Sequence, residues 1–179
     1  MKTLMSYFSN VERAADAMAA LLDHGVSETN MDLVANSSYG EMLVERKHNV
    51  YAEKAKSGVT TTTTADAADG AKKGGLAGLA TGVIAGLASL VIPGYGIVLG
   101  GGALATALGA AVGTGAAGMA AGGITGYLKD MGAEEKVALE MEEGVKNGGG
   151  VLTITASHQA SPGIREILHK YRADTVVEA

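Results

Sequence analysis

Apolar residues predominate from Thr3 to Phe8, which reads as a strand. They then switch to a helical period from Asn10 to Leu22, where Val11, Ala14, Met18 and Leu21 or Leu22 share one face. Met31 to Ala35 reads as a second strand. A matching unit closes the chain. "VLTITAS" from Val151 alternates apolar and polar residues, "SPGIREILHKY" sets Pro162 at a helix start, and "TVVEA" supplies a short last strand. Ahead of that unit, Val137, Met141 and Val145 recur every four residues and stop at a glycine cluster, which predicts a connecting helix. Two βαβ halves predict an α+β fold, a ferredoxin-like split βαβ/βαβ domain.

The pattern between the halves is different. From Gly74 to Leu128 there is no Asp, Glu, Lys, Arg or His, a run well beyond the ~20 residues of one membrane-spanning helix. Lys72 and Lys73 close it on one side, Lys129 and Asp130 on the other. Near its middle, Pro93-Gly94-Tyr95-Gly96 is a turn signal, because Pro presets φ and the residues after it tolerate φ > 0. The expectation is a long glycine-zipper α-helical hairpin interrupting the domain. Its first arm starts near Thr64, a capping residue followed by Asp66 and Asp69. Its second runs from about Ile97 or Ala103 to Leu128, with Gly100-Gly101-Gly102 as a break or kink.

Glycine costs about 1 kcal/mol per position in a helix relative to Ala, so its spacing needs a reason. Gly74, Gly78, Gly82 and Gly86 form a slowly drifting stripe opposite Leu76, Leu79, Val83, Leu87 and Leu90. On the second arm Ala105, Gly109 and Gly113 form one small stripe, and Gly118, Gly122 and Gly126 another. Small residues at this spacing let helix backbones approach closely, so these glycines are the candidate helix-packing and oligomerisation residues. A flexible linker would pair Gly with Ser and polar residues instead. The organisation is a first half-domain at 1–40, a polar linker or helix at 41–64, the hairpin at 65–131, and a connecting helix with the second half-domain at 132–179.

Composition narrows the function. With 27 Gly, one Phe and no Trp among 179 residues, the apolar content is mostly small. Without cysteine there is no disulfide framework, thiolate metal site or thiol nucleophile. A net charge of -5 without a basic stripe argues against a nucleic-acid partner. The start "MKTLMSYFSNVERAAD" lacks the apolar centre of a secretory signal, which sets the expectation of cytoplasmic termini.

No catalytic or cofactor site assembles. Gly94-x-Gly96-x-x-x-Gly100 is close to a dinucleotide loop, and "SLVIP" before it could pass for the required strand. No acidic residue follows at the distance needed to hold a ribose. His24, His48, His158 and His169 lack metal-ligand spacing, and Glu134, Glu135, Glu140, Glu142 and Glu143 read as a solvated helix face rather than a cation loop. No Ser-His-Asp set and no small-molecule substrate site can be drawn. The chain reads as no enzyme, with no metal and no cofactor.

The opening "LMSYFSNVERAADAMAALLDHGVSETNMDLV", the glycine-rich insert, "EEKVALEMEEGVKNGGGVLTITA" and "IREILHKYRADTV" together resemble a family of bacterial general-stress proteins, including the heat-induced YflT-like group. The resemblance implies a ferredoxin-like domain, a stress or envelope association and no assigned catalytic residues. Many members carry an acidic-aromatic helix before the third strand, where this chain has Leu139 and Met141.

The expected function is that of a self-assembling, stress-related homo-oligomer. In one form the hairpin enters the inner membrane from the cytoplasmic side, with Lys72, Lys73 and Lys129 at lipid headgroups, Tyr127 at the same interface and Tyr95 at the far turn. In the alternative, hairpins of many copies pack together in a soluble cytoplasmic ring, tube or shell. A third reading, a ligand sensor on the open face of the sheet, has no convergent polar set behind it.

Overall fold

The computed structural model describes residues 1–36, 38–39, 89–92, 96–103 and 118–179. Strand β1 (Lys2–Phe8) leads into α1 (Val11–Asp23), whose first free amides at Glu12 and Arg13 are capped by the Asn10 side chain. A short 3-10 turn precedes β2 (Met31–Ala35). Two strands then come from the charge-free run, β3 (Ser89–Ile92) and β4 (Gly96–Gly100). They are followed by α2 (Gly118–Asp130), α3 (Glu135–Lys146), β5 (Gly150–Ala156), α4 (Ser161–Lys170) and β6 (Thr175–Glu178).

All six strands form one antiparallel sheet in the order β3-β4-β2-β5-β1-β6. Register stacks like with like. Leu99, Leu33 and Leu152 are successive cross-strand partners on one face, and Val98, Val34 and Val151 on the other. The leucine face is covered by α1 and α4, through Ala14, Met18, Leu21, Ile164 and Leu168. The valine face is covered by α2 and α3, through Ile124, Leu128, Ala138, Met141 and Val145. Each fully buried side chain of this size contributes roughly 1.5–3 kcal/mol, so both layers matter to stability.

The strands and helices read from both ends of the sequence are present, as is the connecting helix. The middle needs a correction. The turn signal at Pro93-Gly94-Tyr95-Gly96 separates two strands rather than two helices, with Gly96 the first residue of β4; Pro93, Gly94 and Tyr95 lie outside the described residues. Ile97, Val98 and Leu99, on the second helical arm if that arm began at Ile97 rather than Ala103, are at most 3% exposed within the sheet. The physical reason is that a strand buried on both faces reads as an unbroken apolar run, the same signature that a membrane helix gives.

Candidate functional site

The chemistry nearest to a site lies on the valine face, at the row Gly100–Asp32–Thr153. Asp32 is 1% exposed. Its Oδ1 accepts the Gly102 amide at 3.0 Å, and its Oδ2 accepts the Tyr127 hydroxyl at 3.4 Å. Thr153, its cross-strand partner, lies with its hydroxyl 3.3 Å from the Tyr127 hydroxyl and donates to the Asp32 carbonyl at 3.4 Å. Glycine is required at 102 by close approach: a Cβ there would stand 2.5 Å from Asp32 Oδ2. One carboxylate thus ties together the chain after β4, the second half of α2 and the sheet.

A second carboxylate holds α2 from its other neighbour. The helix is broken at Gly123, whose φ of 55° and ψ of -153° are accessible chiefly to glycine. Beyond the break the helical amides start afresh. Glu142 of α3 meets them: its Oε2 accepts the Thr125 amide at 2.9 Å and the Thr125 hydroxyl at 2.5 Å, while Oε1 accepts Lys146 at 2.7 Å. Burial alone would raise the Glu142 pKa; the hydrogen bonds from Lys146 and Thr125, with the Lys146 charge, outweigh it and hold the carboxyl below its ordinary range.

That sign fixes a pH dependence. A carboxyl with a lowered folded pKa stabilises the fold fully above its unfolded value of about 4.3, and the contribution is lost as pH falls through the lower folded value. Glu142→Gln is expected to cost roughly 1 kcal/mol at pH 7 and to flatten the acid limb of stability below about pH 4.3. Denaturant melts at pH 7 and at stepped acid pH values check both. An acid limb unchanged by the substitution would contradict the assignment.

The expected site residues distribute as follows. Gly74, Gly78, Gly82, Gly86, Gly109 and Gly113 lie outside the described residues, as do Lys72 and Lys73. Gly118 and Gly122 are on α2 before its break. Gly126 is past it, and a Cβ there would meet nothing within 4 Å among the described residues. Lys129 is exposed and pairs with Glu135 at 3.1 Å. Tyr127, expected at a lipid interface, is 7% exposed inside the domain. Its hydroxyl has Asp32 and Thr153 as partners there, which is the physical reason for this correction.

The face expected to be open for a ligand carries α2 and α3. Among the described residues no His, Asp or Glu cluster has metal-binding geometry, and no helix is long and apolar enough to cross a membrane. The buried polar side chains described are all hydrogen-bonded, as groups with a structural role are. The local sign of this site in the sequence is an acid, Asp32, inside the otherwise apolar strand "MDLVA", since a buried carboxylate needs a partner. Comparison with known proteins finds no family model, no curated relative and no solved structure that matches the chain.

Proposed function

We propose that this is a non-enzymatic, self-associating protein in which a ferredoxin-like core carries glycine-rich apolar segments that pack between copies. The strand order β2-β5-β1-β6, with α1 linking β1 to β2 and α4 linking β5 to β6, supports the ferredoxin-like reading. The resemblance of its sequence layout to the bacterial general-stress proteins is what supports a stress-related role. The observation that carries self-association is the four-residue glycine repeat from Gly74 to Gly86, in a charge-free stretch of a chain that is otherwise richly charged.

Assembly without two membrane passes is favoured by β4. Ile97 to Leu99 are buried in the sheet, which supports packing of this part of the apolar run within the protein. Small apolar segments of this kind gain more from contact with one another than from contact with lipid tails.

High-speed sedimentation of the untagged full chain without detergent, followed by mass measurement, tests the reading. A large homogeneous particle in the supernatant supports it. Recovery only in a pellet that detergent releases moves the apolar segments into lipid on the cytoplasmic side of the membrane. A monomer in the supernatant overturns self-association in either setting.

A further inference from the structure

The structure assigns a site of spontaneous covalent modification to the turn between α3 and β5: the Asn147 side chain cyclises onto the Gly148 nitrogen, at a rate held down by the hydrogen bonds that close the end of α3. This goes beyond the self-association reading and does not depend on it.

The chain has asparagines at 10, 30, 36, 49 and 147, and of these Asn147 alone precedes a glycine. Val11, Met31, Ser37 and Val50 follow the others, so those backbone nitrogens are screened by a side chain, whereas Gly148 offers its nitrogen bare. Side-chain bonding separates the sites further. Asn10 is engaged with the Glu12 and Arg13 amides, and Asn36 with the Tyr39 amide. Asn147 is exposed at the C-terminal cap of α3, and its side-chain amide has no hydrogen bond among the described residues.

The reaction needs no partner but water. The Gly148 nitrogen, giving up its proton to base, attacks Asn147 Cγ; a new C–N bond closes a five-membered imide, and the side-chain nitrogen leaves as ammonia. Water then opens the imide at either carbonyl, which gives Asp in the ordinary chain or an isoaspartyl linkage through the side chain. No electron changes hands.

The fold opposes ring closure. Asn147 has φ -86° and ψ 10°, whereas the planar ring needs ψ turned well away from that value. The nucleophile is itself engaged: the Gly148 amide donates to the Val145 carbonyl at 3.1 Å. Its neighbours fasten the same helix end, the Asn147 amide to the Glu143 carbonyl at 3.0 Å and the Gly149 amide to the Gly144 carbonyl at 2.9 Å. Modification therefore proceeds through local opening of the last turn of α3. Either product sets a carboxylate at the C-terminal end of that helix, where the backbone dipole disfavours an anion. The isoaspartyl form also lengthens the backbone just ahead of Gly150, which pairs with Phe8 on β1 and Ala35 on β2.

The test ages the full chain at mildly alkaline pH, with and without guanidinium chloride at an unfolding concentration. Asn147→Gln runs beside it, since its longer side chain would have to close a less favourable six-membered ring. Mass spectrometry of the peptide carrying residue 147 reads the gain of about 1 Da as amide becomes carboxylate. Methyl transfer to that peptide by an isoaspartyl carboxyl methyltransferase reads the isoaspartyl share. The folded parent is expected to gain the mass at 147 ahead of its other asparagines and to yield both isomers, with conversion about tenfold or more faster in denaturant. Asn147→Gln is expected to keep its mass there. Equal rates with and without denaturant overturn control by the turn. A folded chain that keeps Asn147 intact after the unfolded chain has converted, or that yields Asp without isoaspartate, overturns the site.

Discussion

Leu99→Ala lowers the stability of the α+β domain by about 2–5 kcal/mol, the range for truncating a leucine whose surroundings cannot collapse into the space. Leu99 is 2% exposed, opposite Leu33 on β2 and Ser89 on β3, within the cluster that α1 and α4 cover. The substitution discriminates sharply between the two accounts of the charge-free run. On a helical arm projecting from the domain, Leu99 would contribute nothing to the domain's melt. Within β4, between β2 and β3, it anchors two strands to the rest of the sheet. Urea unfolding of the full chain followed by far-UV circular dichroism measures the difference, and a midpoint unchanged from the parent would contradict the β4 assignment.

Asp32→Ala is expected to cost about 3 kcal/mol. The substitution leaves the Gly102 amide and the Tyr127 hydroxyl facing a methyl group, and an orphaned buried polar group costs about 1–3 kcal/mol. Asp32→Asn keeps an oxygen for Gly102 and should lose about half as much. Tyr127→Phe tests the other end of the same bond. Because the two residues share that contact, the double variant Asp32→Ala/Tyr127→Phe should be destabilised by less than the sum of the singles. Strict additivity in denaturant melts would show that the two side chains do not communicate.

Periodicity was informative wherever polar residues interrupt the apolar ones at a fixed spacing, whether exposed on a helix or, like Thr153, buried in the sheet. The alternation of "LTITA" and the four-residue recurrence of Val137, Met141 and Val145 each point to the element that the structure contains. At Leu139, 53% exposed, and Met141, 2% exposed, the same helix shows its two faces. Legibility fails at β4, whose residues are buried on both sides and so carry no period at all. The β-branched cluster Val91, Ile92, Ile97 and Val98 around the Pro-Gly turn was the local sign of strands, set among Ala, Leu and Gly that favour the helical reading.

Tyr127 was legible only as an amphipathic aromatic near the end of an apolar run. A lipid interface and a buried hydrogen-bonding slot both suit such a side chain, and the choice depended on Asp32, which stands 95 residues away in sequence. The Glu142 cap was hidden for the same reason. A run of glutamates on a helix is normally solvated, and nothing local reveals that one of them faces the first free amides of a broken neighbouring helix. Contacts between distant segments, rather than propensities, decided both positions.

The central claim is self-association through glycine-rich segments, and the most direct test is the mass of the assembled full chain by analytical ultracentrifugation for Gly82→Leu beside Leu79→Ile. Helix propensity and hydrophobicity both favour leucine at 82, whereas close backbone packing forbids it, so the two effects predict opposite outcomes. Leu79→Ile conserves volume and should be tolerated within about 1.5 kcal/mol. Leu79→Ile is expected to retain the parent's large species, while Gly82→Leu falls to small species with the melting of its α+β domain unchanged. A Gly82→Leu particle as large as the parent's would contradict it.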